Sequence, residues 1–181
     1  MTGIVARSFA AVTLAGLTAS CGGGGLAGGG SQKAADWALD ACKTFPKEAA
    51  GKAAGVAVGK TETAGQTGND DILVSNCTYS SADGKTNFGV LLRQVKTGGQ
   101  SVDAQIADMK SRPDMTGPSE DVAMPKGKAV WASKMHTLSY VPADGRMIVV
   151  TPPGAFSFGG PASADGDLKA KAIAIASAVE G

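Results

Sequence analysis

Apolar residues recur along this chain with two different spacings, which predicts both helices and strands. In three segments the apolar positions lie three or four residues apart, as on one face of a helix. Prolines directly after the first two segments, Pro46 and Pro113, mark where those helices end. The predicted helices are residues 32–45, residues 101–112 with Ser101 as the N-cap, and a C-terminal helix from Leu168, with a short helical segment at residues 46–55.

Six other segments have the length and composition of strands, and short turns join some of them in pairs. The turn residues Asp83-Gly84 and Asp144-Gly145 each stand between two such segments, which is typical of antiparallel hairpins. A helix with one apolar stripe must bury that stripe, and a sheet face is the surface that can cover it. We therefore predict a single α+β domain over residues 32–181, with an antiparallel sheet of about six strands and helices packed on one face. The predicted strands are residues 56–63, 72–80, 88–95, 129–132, 136–141 and 146–151, with a short further strand at 121–124.

Two segments of the domain share a short sequence pattern. Residues 78–85 and 139–146 both contain Tyr-x-x-Ala-Asp-Gly followed by a basic residue, at an offset of 61 positions. With the order of the predicted elements, this pattern suggests an internal αβββ duplication followed by a C-terminal helix. Unrelated hairpins that use the same turn residues are the alternative, and the sequence leaves both open.

Residues 1–20 have the three parts of a secretory signal peptide. Arg7 supplies a positive charge, residues 8–17 are mostly apolar, and the small residues Ala19 and Ser20 stand where a peptidase would cut. Ten apolar residues are too few for a transmembrane helix, which needs about 20. We expect this segment to direct export and then to be removed.

The residues around Cys21 indicate how the exported protein is held. Leu17-Thr18-Ala19-Ser20-Cys21 resembles the lipobox of bacterial lipoprotein precursors, although Thr18 and Ser20 are not the commonest residues at their positions. The resemblance implies cleavage before Cys21 and a diacylglyceryl group on its thiol, with residues 21–31 as a glycine-rich tether. It also implies a cell-envelope location facing the periplasm or the exterior, at the outer membrane in a Gram-negative host. An ordinary secreted protein with an incidental Cys21 is the alternative.

Cysteine counting leaves one pair for the folded domain. With Cys21 carrying lipid, Cys42 and Cys77 are the two cysteines that remain in an oxidising compartment. An even number of cysteines in an exported chain predicts a disulfide, here Cys42–Cys77. A redox or metal-binding pair would need closer spacing or neighbouring histidines, which this chain lacks.

A second, looser resemblance covers roughly residues 36–151. Small bacterial envelope lipoproteins of unknown function carry a cysteine in the first helix, as Cys42 here. They also have a Cys-x-Tyr strand, here Cys77-Thr78-Tyr79, and a Gly-x-Ala-x-Trp strand, here residues 127–131. The resemblance implies a disulfide-pinned α+β fold and supplies no reaction.

Charge and composition narrow the range of functions. The chain has 17 Lys and Arg against 16 Asp and Glu. Because Arg7 is the only charged residue of the signal segment, the mature protein has 16 of each sign. This balance, with no basic cluster, argues against nucleic-acid binding. We predict no cofactor and no metal site.

Few residues could carry catalysis. His136 is the only histidine, and no Gly-x-Ser-x-Gly motif accompanies it. His136 is either a half-buried structural residue on a strand or a catalytic residue of a hydrolase. A hydrolase could also use a carboxylate pair, either Asp70-Asp71 or Glu120-Asp121, although such residues commonly support loops.

The remaining candidate is a contact surface. Phe156 and Phe158 lie in a loop rich in proline and glycine, where exposed aromatic rings would suit a partner protein or a membrane. Packing over a sheet edge is the alternative. We therefore expect a lipid-anchored envelope protein that acts as a binding or accessory module and is not an enzyme. The alternatives are a carrier of a small apolar or amphipathic ligand and an envelope hydrolase.

Overall fold

An antiparallel sheet of seven strands with helices on both faces runs through the residues that the computed structural model describes, 37–69, 71–156 and 163–180. The strands are β1 Val58–Gly68, β2 Ile72–Ser81, β3 Asn87–Val95, β4 Ser119–Val122, β5 Lys128–Ala132, β6 Thr137–Val141 and β7 Arg146–Thr151. Their order in the sheet is β1-β2-β3-β7-β6-β5-β4. The predicted class, a single α+β domain with an antiparallel sheet, is confirmed, and the short further strand predicted at 121–124 is present as Ser119–Val122. The helices are α1 Ala41–Thr44, α2 Lys47–Ala54, α3 Val102–Lys110, α4 Pro113–Thr116 and α5 Asp165–Glu180.

The first helix is shorter than predicted. Residues 37–39 form a turn, and α1 begins only at Ala41 because Asp40 is its N-cap. The Asp40 carboxylate accepts hydrogen bonds from the backbone N–H groups of Cys42 and Lys43. Residues 32–36 of the predicted helix, the signal segment 1–20 and the tether 21–31 with Cys21 lie outside the described residues.

The first face of the sheet carries the main core. Side chains of a strand alternate between faces, and β2 and β3 both alternate between buried and partly buried positions. Helices α1, α2 and α5 cover the buried side. The largest buried side chains of this core are Trp131, Tyr79, Tyr140, Phe45, Leu92 and Leu138.

Helix α3 packs on the other face. Its Ile106 lies with Val130 and Val141 in a second, smaller apolar cluster. Val130 stands between Ala129 and Trp131, both of which belong to the first core, so it must point to the opposite side of β5. The expectation that the helices pack on one face is therefore wrong for α3. Consecutive burial along β5 is the sign that this strand is covered on both sides.

The predicted disulfide is confirmed and joins α1 to the centre of β2. Cys42 and Cys77 are bonded, with their Cα atoms 5.0 Å apart. Two residues further along β2, the buried Tyr79 hydroxyl donates a hydrogen bond of 2.6 Å to the Phe45 carbonyl oxygen. The Phe45 ring also packs edge-on against the Tyr79 ring, with the centroids 6.0 Å apart, and Tyr79 in turn stacks on Phe88 of β3. A covalent bond, a hydrogen bond and aromatic packing thus attach the same short segment to the sheet.

The strands follow the suggested repeat, but the helices do not. In the two hairpins that contain the shared pattern, Tyr79 pairs with Phe88 and Tyr140 pairs with Ile148. The two hairpins are adjacent because β3 pairs with β7. From this central pair the strand order runs β3-β2-β1 in one direction and β7-β6-β5 in the other. However, α3 lies on the opposite face from α1 and α2. Common ancestry of the two halves stays a prediction.

Removing the disulfide should lower the free energy of unfolding substantially. The bond closes a loop with a sequence separation of 35, for which chain entropy gives about 3–4 kcal/mol. We expect the Cys42→Ala/Cys77→Ala variant to lose about this amount in urea denaturation. The single variant Cys42→Ala should lose nearly as much, because either change removes the bond. A loss below about 1 kcal/mol in both variants would show that the crosslink adds little.

Candidate functional site

The N-terminal part of the described chain lies at one end of the sheet. The Trp37 ring packs under the Arg146 guanidinium, 5.2 Å from its centroid, and the Ala38 N–H donates to the Gln94 side chain at 3.4 Å. Gln94 and Arg146 form the terminal pair between β3 and β7. We call this the Trp37 end, and the opposite end, roughly 23 Å away along β3, the far end.

Exposed apolar side chains collect at the far end. Among the described residues, four large apolar side chains are exposed, and three of them follow or precede strand termini at this end: Met115 at 64%, Met135 at 47% and Phe156 at 70%. The fourth, Leu39, is two residues from Trp37. The loops with Met115 and Met135 adjoin, since a Cβ placed on Gly117 would lie 2.6 Å from Lys134 Cβ. We call Met115, Met135 and Phe156 the far-end apolar residues.

This surface includes one of the two predicted contact residues. Phe156 is exposed, whereas Phe158 lies outside the described residues. Sequence reasoning missed Met115 and Met135. The available signal was an apolar residue within a segment of turn-forming and polar residues, which is weak because single exposed apolar residues are common.

A groove lies beside these residues on the second face of the sheet. It is bounded by α3, α4 and strands β4 to β6, and its volume is about 250 Å³. Apolar side chains and one ion pair line it: Met109, Met115, Val130 and Ala132, with Arg112 Nη2 3.5 Å from Asp108 Oδ1. The groove is slightly smaller than most ligand pockets, which are about 300–1,000 Å³.

His136 lies in a polar cluster at the same end. It was predicted to begin a strand, but it is the last residue of the turn before β6, with a positive φ of 48°. Its Nδ1 atom is 3.3 Å from Asp165 Oδ1, and the Trp131 Nε1–H lies 3.1 Å from both carboxylate oxygens of Asp165. About a third of the His136 side chain is exposed.

The geometry of this cluster fits a structural role better than catalysis. A carboxylate beside a histidine can orient the ring for a nucleophile. However, within the described ranges no serine, threonine or cysteine side chain is hydrogen-bonded to the His136 ring, and Cys42 and Cys77 are bonded to each other. Asp165 is the first residue of α5 and satisfies the indole N–H of the buried Trp131. It therefore fastens the start of α5 to the β5–β6 hairpin.

The predicted carboxylate pairs do not converge. Glu120 and Asp121 are consecutive on β4 and so point to opposite faces. Glu120 pairs with Lys169 of α5 at 2.5 Å, and Asp121 pairs with Lys110 of α3 at 2.5 Å. Each carboxylate thus joins the strand to the helix on its own side. Of the other pair, Asp70 lies outside the described residues, and Asp71 accepts a hydrogen bond from the Thr97 hydroxyl at 3.1 Å.

Shifted pKa values have structural causes. Burial raises the pKa of the Tyr79 phenol well above its usual value, and the Asp40 carboxylate adds to the shift. Burial, with a smaller effect of Glu180, also raises the pKa of Tyr140. The hydrogen bond to Asp103 raises the pKa of Lys128. All three residues contribute to the core or to exposed pairs between elements.

Metal sites, membrane-spanning helices and similarity to known proteins are the remaining features that could indicate a function. No group of three or more potential metal ligands comes together within residues 37–69, 71–156 and 163–180. Among the helices of those residues, none is long and apolar enough to cross a membrane. The chain matches no protein-family model, no curated protein and no solved structure.

Loss of the Asp165 carboxylate should weaken the attachment of α5. We expect Asp165→Ala to lower the free energy of unfolding by about 1–3 kcal/mol, because the buried indole N–H of Trp131 loses its acceptor. Asp167→Ala, in the same helical turn, is the matched control and should cost less than about 1 kcal/mol. Urea denaturation followed by tryptophan fluorescence measures both. Equal losses would mean that the Trp131 bond is unimportant.

Proposed function

We propose that the protein is a lipid-anchored cell-envelope protein that binds a partner protein through the far end of its sheet. The observation that carries the proposal is the exposure of Met115, Met135 and Phe156 at the end opposite Trp37. Exposing large apolar side chains to water costs free energy, and three of the four that are exposed among the described residues lie at this end of the sheet. The resemblance around Cys21 supports the lipid anchor.

The separation of the two ends suits an anchored binding protein. Trp37, the first described residue, and the far-end apolar residues lie at opposite ends of the sheet. The glycine-rich composition of residues 21–31 favours a coil with a reach of about 5–6 Å × √n for n residues. The domain would then have freedom to turn its far end toward a partner in the envelope.

The polar clusters support binding over hydrolysis. His136 and Asp165 serve the attachment of α5, and Glu120 and Asp121 face apart. These were the candidate catalytic groups of the described chain. Their contacts leave the far-end apolar residues as the surface whose exposure no internal packing explains.

Site-specific photo-crosslinking tests the surface. A photoreactive phenylalanine analogue placed at Phe156 or Met115 should give a defined adduct with one envelope protein in intact cells. The matched control is Lys43 of α1, next to Cys42 over the centre of β2 and away from the far end, whose side chain is 87% exposed and should give no such adduct. Adducts of equal yield at Lys43, or none at either far-end position, would contradict the proposal.

The anchor has its own test. Mass spectrometry of the mature N-terminus should find Cys21 as the first residue with lipid attached. The Cys21→Ala variant should leave the membrane fraction or remain unprocessed. A wild-type protein with a free Cys21 thiol would disprove lipid anchoring, without affecting the far-end surface.

The groove favours one second candidate, a carrier of a small amphipathic ligand. Its apolar lining and the Arg112 guanidinium suit a short apolar chain with an acidic head group. We expect saturable fluorescence enhancement of anilinonaphthalene sulfonate and its displacement by octanoate. Ser139→Phe should abolish both by filling the groove, while Ser80→Phe, on the same sheet face outside the groove, should not. Equal binding by both variants would exclude this site.

A further inference from the structure

The sheet has one long open edge. Strand β1, with 11 residues, is the first strand of the sheet and pairs only with β2. At the opposite edge, β4 has 4 residues. Along residues 59–64 of β1 every residue is exposed except Thr61, which is partly buried. Backbone N–H and C=O groups on this outer side can pair with another strand.

Irregularities limit the stretch that another strand could use. The pairing of β1 with β2 shifts register between Val58 and Lys60 and again between Ala64 and Thr67. Between these shifts, residues 60–64 pair regularly with β2. Bulges and charges at an edge normally discourage pairing with other chains. Any partner must therefore match this five-residue stretch and its charges.

The charges on this stretch have opposite signs. Lys60 and Glu62 lie on the same face of β1, two residues apart, and form an ion pair. The hydrogen bond from Lys60 lowers the pKa of Glu62. An edge with two lysines would repel a copy of itself, whereas one lysine and one glutamate can be complementary to a copy.

We propose that two copies of this chain pair antiparallel through β1, with the two-fold axis at Thr61. Lys60 then lies opposite Glu62 of the partner subunit, and Glu62 lies opposite Lys60 of the partner subunit. Opposite charges directly across an antiparallel pair are favourable, and like charges are unfavourable. Thr61 faces Thr61 of the partner subunit on the other side of the strand pair.

The register follows from symmetry and charge. A two-fold axis perpendicular to the sheet keeps each residue on its own face, so it must pass through a residue position and not between two residues. An axis at Lys60 or Glu62 places like charges opposite each other. An axis at Thr63 or Ala64 leaves both charges without an oppositely charged residue across the strand. An axis at Thr61 places both Lys60 and Glu62 opposite a residue of the other charge.

The arrangement agrees with anchoring in one membrane. A perpendicular axis keeps helix α1 of both subunits on the same face of the joint sheet, because α1 covers the first face. Trp37, the first described residue, belongs to the core on that face, so it lies on the same side of the pair in both subunits. The groove and the far-end apolar residues lie away from β1 and stay accessible in both subunits.

Disulfide trapping in intact envelopes tests the register with the full-length protein. In the proposed pair, Thr61→Cys places two thiols across the axis, where Cβ atoms are about 4.5–5.5 Å apart, and should give a covalent dimer under mild oxidation. Adding Glu62→Lys sets lysines against each other and should reduce the dimer yield about tenfold. The reversed pair Lys60→Glu/Glu62→Lys, also with Thr61→Cys, restores opposite charges and should restore the yield.

Each outcome bears on the proposal. Loss with Glu62→Lys and recovery with the reversed pair would establish this register. An absent dimer with Thr61→Cys alone, or a yield that ignores the charge changes, would overturn it. If the Glu62→Lys protein does not accumulate, two other proteins still test the proposal. The Thr61→Cys variant and the Thr61→Cys variant with Lys60→Glu/Glu62→Lys must both form the covalent dimer. Crosslinking from Phe156 reports separately on partner binding.

Discussion

The link between the Phe45 segment and β2 supports much of the first face of the sheet. Helix α1 has four residues, too few to be stable alone, so its position depends on the Cys42–Cys77 bond and on the hydrogen bond between Tyr79 and Phe45. With α1 in place, the chain continues into α2, which packs against both β1 and α5. Helix α5 then covers β6 and β7. Helices α1, α2 and α5 together therefore cover the core on the first face of the sheet.

Charged residues perform a related task where α3 and α5 meet the sheet. Asp165 satisfies Trp131 at the start of α5, and the consecutive carboxylates Glu120 and Asp121 each bind a lysine of a different helix. Such exposed ion pairs add little stability individually. In this structure the ion pairs fix the positions of α3 and α5 relative to β4. The residues that resembled catalytic groups are thereby accounted for, and the exposed apolar residues are left as the candidates for function.

The proposed activities occupy separate parts of the molecule. The groove, Met115 and Met135 lie around α4 and strands β4 to β6, and Phe156 follows β7, whereas β1 is at one edge of the sheet. Self-pairing through β1 would present two far-end surfaces on one particle. Two copies of a weak binding surface raise the apparent affinity for a partner that has two matching sites.

Sequence alone determined the parts that depend on local spacing or on counting. Local sequence patterns indicated the helices of the described chain except α4, which was predicted as loop, and most strands, and the cysteine count indicated the Cys42–Cys77 bond. Only the tertiary structure decided which face α3 covers, because an apolar stripe shows that a helix is buried but not where. Only the tertiary structure brought His136 to Asp165, 29 positions away, and separated the neighbours Glu120 and Asp121. Those relations depend on strand order and alternation across the whole sheet, which local patterns do not encode.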